Sequence, residues 1–163
     1  MNTPDALLKA VLTSRVYDVA RETPLDRAPR LSARLGHDVF LKREDLQPVF
    51  SFKIRGAYNL ISQLTAEERA RGVICASAGN HGQGVAMACA RLGVRARIHV
   101  PATTPKQKQH RMKALGREYV ELVVEGDVYD DAYRAARIAA AEEHLVMVPA
   151  FDDARTIAGQ GTI

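Results

Sequence analysis

The 163-residue chain contains no tryptophan, two cysteines and only 6% aromatic residues. Its cysteines, Cys75 and Cys89, belong to no CxxC pair and to no cluster with metal-ligand spacing. We therefore expect both to be small buried side chains rather than parts of a disulfide framework or a redox centre. The five histidines show no HExxH spacing. The sequence thus predicts no metal site.

Long apolar runs are also missing. No run approaches the roughly 20 residues that a membrane-spanning helix needs. The first residues lack the basic region and the apolar stretch of a secretion signal. These two absences predict a cytoplasmic protein without a membrane partner. A composition of 47% hydrophobic and 26% charged residues is typical of a globular chain with one good core.

The net charge of +4 raises the question of a polyanionic partner. The densest basic stretch, residues 105–113, contains no aromatic side chain, and acidic residues follow it closely between Glu118 and Asp131. This pattern favours a solvated helix face or a subunit contact over a nucleic-acid groove. We therefore expect no nucleic-acid partner.

Apolar, β-branched runs alternate with helical patterns through the second half of the chain. Four such runs predict strands: Val73-Ile74-Cys75-Ala76, Arg97-Ile98-His99-Val100, Tyr119 to Val124, and Leu145-Val146-Met147-Val148. Alternation at this spacing predicts right-handed βαβ units, hence an α/β fold with a parallel sheet flanked by helices.

Turn and capping residues give the helix limits. Gly93 ends the helix after the first strand, and Thr104 is expected to cap a helix that runs from Pro105 to Gly116. Asp127 is expected to open the last long helix. Further upstream, Thr65 to Glu68 fits a capping box.

The sequence of the N-terminal part predicts one strand and one helix, and this helix carries a candidate functional lysine. Val39-Phe40-Leu41 has the pattern of a strand, and Ala57, Leu60, Ile61 and Leu64 mark the apolar face of a helix that begins at Lys53. The helix dipole disfavours a cation at this end by about 0.3–1 kcal/mol. With Ser51 as the cap, burial against Phe52 and the nearby charge of Arg55 would act in the same direction and lower the pKa of Lys53.

The loop from Ser77 to His81 follows the first strand of the sheet and opens a helix. Loops at the carboxyl ends of parallel strands bind ligands in open α/β sheets, and helix N-termini bind anions. The glycine order here is G-x-x-G-x-G rather than the dinucleotide pattern, and no acidic residue ends the next strand. Binding of NAD is therefore disfavoured.

Two motifs together resemble the active-site pair of pyridoxal-phosphate enzymes of fold type II, the tryptophan-synthase β-like class: Ser51-Phe52-Lys53-Ile54-Arg55-Gly56 and Ser77-Ala78-Gly79-Asn80-His81-Gly82-Gln83-Gly84. The longer string from Lys42 to Phe50, running into the first motif, resembles biosynthetic threonine dehydratases (threonine ammonia-lyases) in particular. The resemblance extends from about Leu7 to Ile163.

This resemblance implies pyridoxal 5'-phosphate as cofactor and an amino acid as substrate. It implies that Lys53 is catalytic, holding the cofactor as a Schiff base and removing the Cα proton. Cofactor-binding residues would be Phe52, Lys53 and Asn80, with Asn80 bonding the 3′-oxygen of the pyridine ring. Substrate-binding residues would be Ser77, Gly79, Asn80 and His81, which grip the carboxylate. Relatives assemble as oligomers, so a homo-oligomer is expected for the full-length enzyme.

The resemblance also implies a division of the chain. Residues 1–55 would be an N-terminal segment of the large cofactor-binding domain, 56–150 the small α/β domain, and 151–163 the start of the return to the large domain. No tetraglycine phosphate loop lies between Gly84 and Ile163. We therefore expect the chain to be an N-terminal fragment that is inactive alone.

Three alternatives for the whole protein and one for Asn80 stay open at this point. A catabolic serine/threonine dehydratase or a serine racemase would share both motifs. Racemases that resemble this chain carry a second serine, an acid/base, where this sequence has Ala78, so elimination is favoured over racemisation. In a different functional class, a non-catalytic α/β interaction module would also have kept the loops. Alternatively, Asn80 would serve only to cap its helix.

Overall fold

The computed structural model describes residues 3–163; Met1 and Asn2, with which the predicted N-terminal segment begins, lie outside this range. The α-helices are α1 (Pro4–Leu12), α2 (Pro29–Leu35), α3 (Lys53–Ser62), α4 (Ala66–Arg71), α5 (Asn80–Leu92), α6 (Lys106–Gly116), α7 (Tyr129–Glu142) and α8 (Ala154–Gln160). The strands are β1 (Leu25–Arg27), β2 (Phe40–Lys42), β3 (Val73–Ala76), β4 (Ala96–Val100), β5 (Val120–Val124) and β6 (Val146–Met147). Short 3₁₀ turns occupy Val16–Asp18, Glu44–Leu46 and Arg117–Tyr119.

A parallel sheet of four strands, ordered β5-β4-β3-β6, forms the centre of the molecule. Val73 at the start of β3 lies opposite Ala96 of β4 on one side and Val146 of β6 on the other. The predicted α/β fold with a parallel sheet is confirmed, and each predicted strand of this sheet is present with ends shifted by at most one residue.

Both faces of the sheet are covered by helices. Alternate residues of β3 point to opposite sides: Cys75 joins the core that contains α5, whereas Ile74 and Ala76 pack against alanines of α7. The two cysteines are free and buried, as predicted, and burial raises the pKa of the Cys75 thiol to about 12. A sheet buried on both faces presents its functional surface only at the strand ends and the loops that follow them.

Helix α3 packs between α5 and α8 and belongs to the same core as the sheet. Its predicted apolar face is confirmed: Ala57, Leu60 and Ile61 are fully buried and Leu64 is nearly so. The helix that follows begins with the predicted capping box, in which Thr65 and Glu68 exchange hydrogen bonds.

Two predicted helix caps are wrong. Helix α6 begins at Lys106 with Pro105 in the N-cap position, and the buried Thr104 hydroxyl has no hydrogen-bond partner within residues 3–163. Helix α7 begins at Tyr129 with Val128 in the N-cap position, and the Asp131 carboxylate accepts the N–H groups of Asp127 and Val128 at 3.2 and 3.3 Å. The predicted ends at Gly93 and Gly116 are confirmed.

The N-terminal part contains a small antiparallel pair, β1 and β2, in which Leu25 lies opposite Lys42. The sequence predicted only the second of these strands, because β1 is Leu25-Asp26-Arg27, in which two charged residues leave no apolar run. None of the helices in residues 3–163 has the length and apolar character required to cross a membrane.

Gly84 allows α5 to approach the first residue of α3. A Cβ atom built on Gly84 would lie 2.9 Å from the carbonyl oxygen of Lys53 and 3.1 Å from the backbone nitrogen of Ile54. Both neighbours are backbone atoms, so they cannot turn aside as a side chain could. Gly82, in the preceding turn, faces instead the sulfur of Met112 at 2.9 Å, the end of a flexible side chain.

This difference leads to a matched test. We expect Gly84→Ala to lower the free energy of unfolding by about 1–3 kcal/mol, because the added methyl pushes the two helices apart. Gly82→Ala gains the same helix propensity but meets side-chain atoms, the Met112 sulfur at 2.9 Å and the Ser77 Cβ at 3.2 Å, so its loss should be smaller. Urea denaturation of both full-length variants measures the difference, and equal stabilities would contradict this packing.

Candidate active site

Lys53 is the first residue of α3. The Ser51 hydroxyl accepts the Lys53 backbone N–H at 3.2 Å, while Phe52 occupies the N-cap position itself. Ser51 therefore provides a hydrogen bond of the kind expected from the sequence, although it does so from one residue before the cap. This bond and the contact with Gly84 fix the backbone from which the Lys53 side chain projects.

The Lys53 amine is half-buried and donates a hydrogen bond to the carbonyl oxygen of Ala150 at 2.7 Å. Burial lowers the pKa of this amine. The Phe52 ring centroid lies 5.2 Å from the Lys53 nitrogen. Among the described residues, no carboxylate forms an ion pair with Lys53. The neutral form of the amine is therefore more accessible than that of an exposed lysine.

The expectation that Arg55 would lower the pKa of Lys53 is wrong, because Arg55 is neutralised by a buried partner. Its Nε and Nη2 atoms donate to the two carboxylate oxygens of Glu44 at 2.8 and 2.9 Å. The Arg55 side chain is 1% exposed and that of Glu44 is 10% exposed. The guanidinium also donates to the Arg21 carbonyl and the Thr162 hydroxyl.

The Glu44 carboxylate is satisfied by several donors at once. Thr23 donates its hydroxyl at 2.6 Å and Gln47 donates its amide at 3.2 Å, in addition to Arg55. Burial acts to raise the pKa of Glu44, but these hydrogen bonds outweigh it and the net shift is downward. Sequence analysis missed this network. Two basic residues followed by two acidic ones, Lys42-Arg43-Glu44-Asp45, give no sign of which of the four is buried.

The loop after β3 is held by Ser77. Its hydroxyl accepts the backbone N–H groups of Gly79 at 3.1 Å and Gly82 at 2.8 Å. Ser77, rather than Asn80, thus makes the capping contacts, and Asn80 is the first residue of α5. Asn80 and Ala78 are exposed at this edge of the sheet. The alternative that Asn80 serves only as a cap is therefore not supported.

The His81 side chain turns inward, unlike the rest of the loop. The residue is 5% exposed, and its Nε2 atom lies 2.8 Å from the carbonyl oxygen of Val148. Since a carbonyl can only accept, Nε2 carries the proton and donates it. Burial and, to a smaller degree, the charge of Lys53 lower the pKa of His81 to about 4. Only the backbone of His81 is thus available to a substrate carboxylate.

Lys108 of α6 is a further cation beside the loop. A Cβ atom built on Gly79 would lie 2.8 Å from the Lys108 nitrogen, so this side chain fills the space that glycine leaves. The sequence predicted a solvated face for the basic stretch, and Lys108 is indeed exposed. It nevertheless lies over the loop, a contact that no local pattern indicates.

The structure thus gathers Lys53, the Ser77–His81 loop and the segment from Val148 to Ala150 at the carboxyl end of the sheet. The first two groups were predicted to meet. The third was missed because it contributes carbonyl oxygens, which every residue possesses.

Comparison with known proteins gives one family and several relatives. The model of the family "Pyridoxal-phosphate dependent enzyme" matches residues 16–163. L-threonine dehydratase biosynthetic IlvA from Burkholderia multivorans is 56% identical over 156 residues, which cover 96% of this chain and 31% of that protein. Threonine dehydratase 1 biosynthetic, chloroplastic, from Solanum lycopersicum is 54% identical, with 96% of this chain and 25% of its own length covered.

Two solved structures also resemble this chain along nearly its whole length. The processed form of threonine deaminase isoform 2 from Solanum lycopersicum has a TM-score of 0.90 and 48% identity, covering 99% of this chain and 45% of its own. Maize serine racemase has a TM-score of 0.85 and 29% identity, with 97% and 46% covered. The chain therefore spans about a third or less of these two curated relatives and about half of each solved chain.

The buried pair beneath α3 leads to a stability prediction. Glu44→Gln should lower the free energy of unfolding by about 3 kcal/mol, because it leaves the Arg55 charge buried without a counter-charge. Asp38→Asn is the matched control: its partner is Arg27, and their side chains are 70% and 54% exposed, so little change is expected. Urea denaturation of the full-length variants measures both.

The same pair makes stability depend on pH. Folding lowers the pKa of Glu44. The contribution of its carboxylate to the free energy of unfolding is therefore present above the pKa of an unfolded glutamate, and it is lost as the pH falls through the lowered pKa. Glu44→Gln should therefore flatten the acid limb of the stability profile. An unchanged limb would contradict the assignment.

Proposed function

The chain belongs to the pyridoxal-phosphate dependent enzyme family, and on that basis we propose that the full-length protein is a threonine dehydratase. It would convert L-threonine to 2-oxobutanoate and ammonia, the first step towards isoleucine. The similarity to proteins named biosynthetic threonine dehydratase supports this choice within the family. A cytoplasmic location and assembly into a homo-oligomer are parts of the same proposal.

One observation carries the proposal: the Lys53 amine is half-buried, its pKa is lowered by burial, and it forms no ion pair with a carboxylate in residues 3–163. An amine must be neutral to attack an aldehyde carbon. A lysine kept protonated by an ion pair with a buried carboxylate, like the pair that Arg55 forms with Glu44, could not do this. The residues present therefore fit covalent attachment of pyridoxal phosphate at Lys53.

When bound, pyridoxal phosphate supplies an electron sink for the negative charge that develops at the substrate Cα. Lys53 acts as the base that receives the Cα proton, and the lowered pKa brings this amine closer to working pH. The Phe52 ring lies beside the amine, with its centroid 5.2 Å from the Lys53 nitrogen. Asn80, exposed in the loop, is proposed to form a hydrogen bond with the 3′-oxygen carried by the pyridine ring of the cofactor.

The loop from Ser77 to His81 is proposed to bind the substrate carboxylate. The first turn of α5 presents backbone N–H groups that have no partner within the helix, and the helix dipole favours an anion there. Ser77 keeps the loop in this shape through its bonds to Gly79 and Gly82. The Lys108 ammonium adds positive charge beside Gly79.

A second candidate reaction is racemisation or dehydration of serine, favoured by the likeness to maize serine racemase. One methyl group separates threonine from serine, which corresponds to about 1–3 kcal/mol of discrimination. Ala78 is exposed in the loop and has no proton to exchange. We therefore propose elimination rather than racemisation. The remaining alternative, a non-catalytic module, predicts no covalent cofactor.

Lys53→Ala should abolish turnover of L-threonine and the visible absorbance of the bound cofactor, because no other amine replaces the base. Borohydride reduction of the full-length wild type, followed by peptide mapping, should place the cofactor on Lys53. Lys9→Ala, on exposed α1, is the control and should behave as wild type. Normal turnover by Lys53→Ala would refute the proposal, and the absence of any adduct would favour the module.

With L-serine as substrate, we expect pyruvate and no D-serine, since residue 78 offers no acid to the second face of the cofactor. Ala78→Ser should introduce measurable D-serine. Chiral chromatography of the products distinguishes the two reactions. Rapid formation of D-serine by the wild type would contradict the assignment to elimination.

A further inference from the structure

His81 connects two parts of the candidate site that are distant in sequence. Its backbone belongs to the loop that begins α5, and its imidazole is bonded to Val148, 67 positions further along the chain. Val148 is itself fully buried and continues β6, where its N–H donates to the Ile74 carbonyl of β3 at 2.9 Å. The sheet thus holds the N–H of Val148, whereas the imidazole holds its carbonyl, just after the end of β6.

Two residues after Val148, the chain reaches the carbonyl that binds the catalytic amine. Ala150 accepts from the Lys53 nitrogen at 2.7 Å. Between these positions lies Pro149, whose ring restricts the backbone. The position of the Ala150 oxygen is therefore closely tied to that of the Val148 oxygen, and through it to His81.

The His81 ring is neutral and donates from Nε2, since burial lowers its pKa to about 4. Its other nitrogen, Nδ1, is buried and has no hydrogen-bond partner within residues 3–163. A buried polar atom without a partner is costly, so packing alone would favour an apolar side chain here. The bond to Val148 is what the imidazole contributes and an apolar side chain could not.

We infer that His81 is a positioning residue: by donating to the Val148 carbonyl it holds the 148–150 segment at the place where Ala150 binds the Lys53 amine. The substrate loop and the catalytic amine are thereby held together through one side chain. The inference rests on the proposed role of Lys53, but the hydrogen bonds on which it depends are properties of this chain alone.

A pair of neutral amides tests the bond. In His81→Gln the amide nitrogen reaches about as far as Nε2 and can still donate to Val148, whereas in His81→Asn the amide is one methylene shorter and cannot reach. Both replacements are polar and uncharged, so they differ mainly in reach. His37→Asn, an exposed histidine outside the site, is the control for the substitution itself.

The readout is trace acetylation of Lys53 in the full-length protein after removal of the cofactor, quantified by mass spectrometry with Lys9 as the internal standard. In His81→Asn the freed segment should release the amine, and labelling of Lys53 should rise by about threefold to tenfold. His81→Gln and His37→Asn should stay within about twofold of wild type.

Two outcomes would overturn the inference: wild-type labelling in His81→Asn, or an equal rise in His81→Asn and His81→Gln. If His81→Asn does not fold, a rise in His81→Gln alone would still contradict it, because that variant keeps the bond. Turnover is not measured in this experiment. Failure of the proposed function would appear instead as an active Lys53→Ala enzyme.

Discussion

The approach of α5 to the first residue of α3 is the constraint on which the candidate site depends. Gly84 lies against the backbone of Lys53, where a methyl group would come within 2.9 Å of the carbonyl oxygen. Because α5 begins at the carboxyl end of β3, this contact brings the lysine to the edge where a parallel sheet binds ligands. A larger residue at position 84 would separate the amine from the loop.

Charge is distributed unevenly around this contact. Beneath α3, Arg55 and Glu44 form a buried ion pair, and most of their polar atoms also have hydrogen-bond partners in neighbouring residues. Above it, Lys53 and Lys108 lie near a helix N-terminus without a carboxylate partner among residues 3–163. The first arrangement fixes the helix in place. The second leaves the charge of Lys108 unbalanced beside the loop, which would favour a carboxylate there.

The sequence predicted the fold well where structure follows local pattern. The strands of the central sheet have apolar runs between clear turn signals, and the Thr65 capping box needs only four residues. The caps at Thr104 and Asp127 were predicted wrongly because both helices begin one residue later than expected, with Pro105 and Val128 in the N-cap positions. In the site, two motifs identified Lys53 and the Ser77 loop, whose functional roles are still proposals, as is the division of the chain into domains.

What could not be predicted depends on distant contacts. The partner of Arg55 lies 11 residues away, and the partner of His81 is a carbonyl 67 residues away. Carbonyl oxygens leave no trace in a sequence, so neither Val148 nor Ala150 could be recognised. The inward orientation of His81 also shows that a motif does not reveal which atoms of a residue face the candidate site.

Burial makes the Lys53 amine easier to deprotonate than an exposed lysine. Titration of ¹³C-labelled lysine side chains by NMR, in the cofactor-free full-length protein, measures this directly once the Lys53 resonance is assigned by its loss in Lys53→Arg. We expect a pKa below the value of about 10.4 for a free lysine side chain. A pKa at or above that value would contradict it.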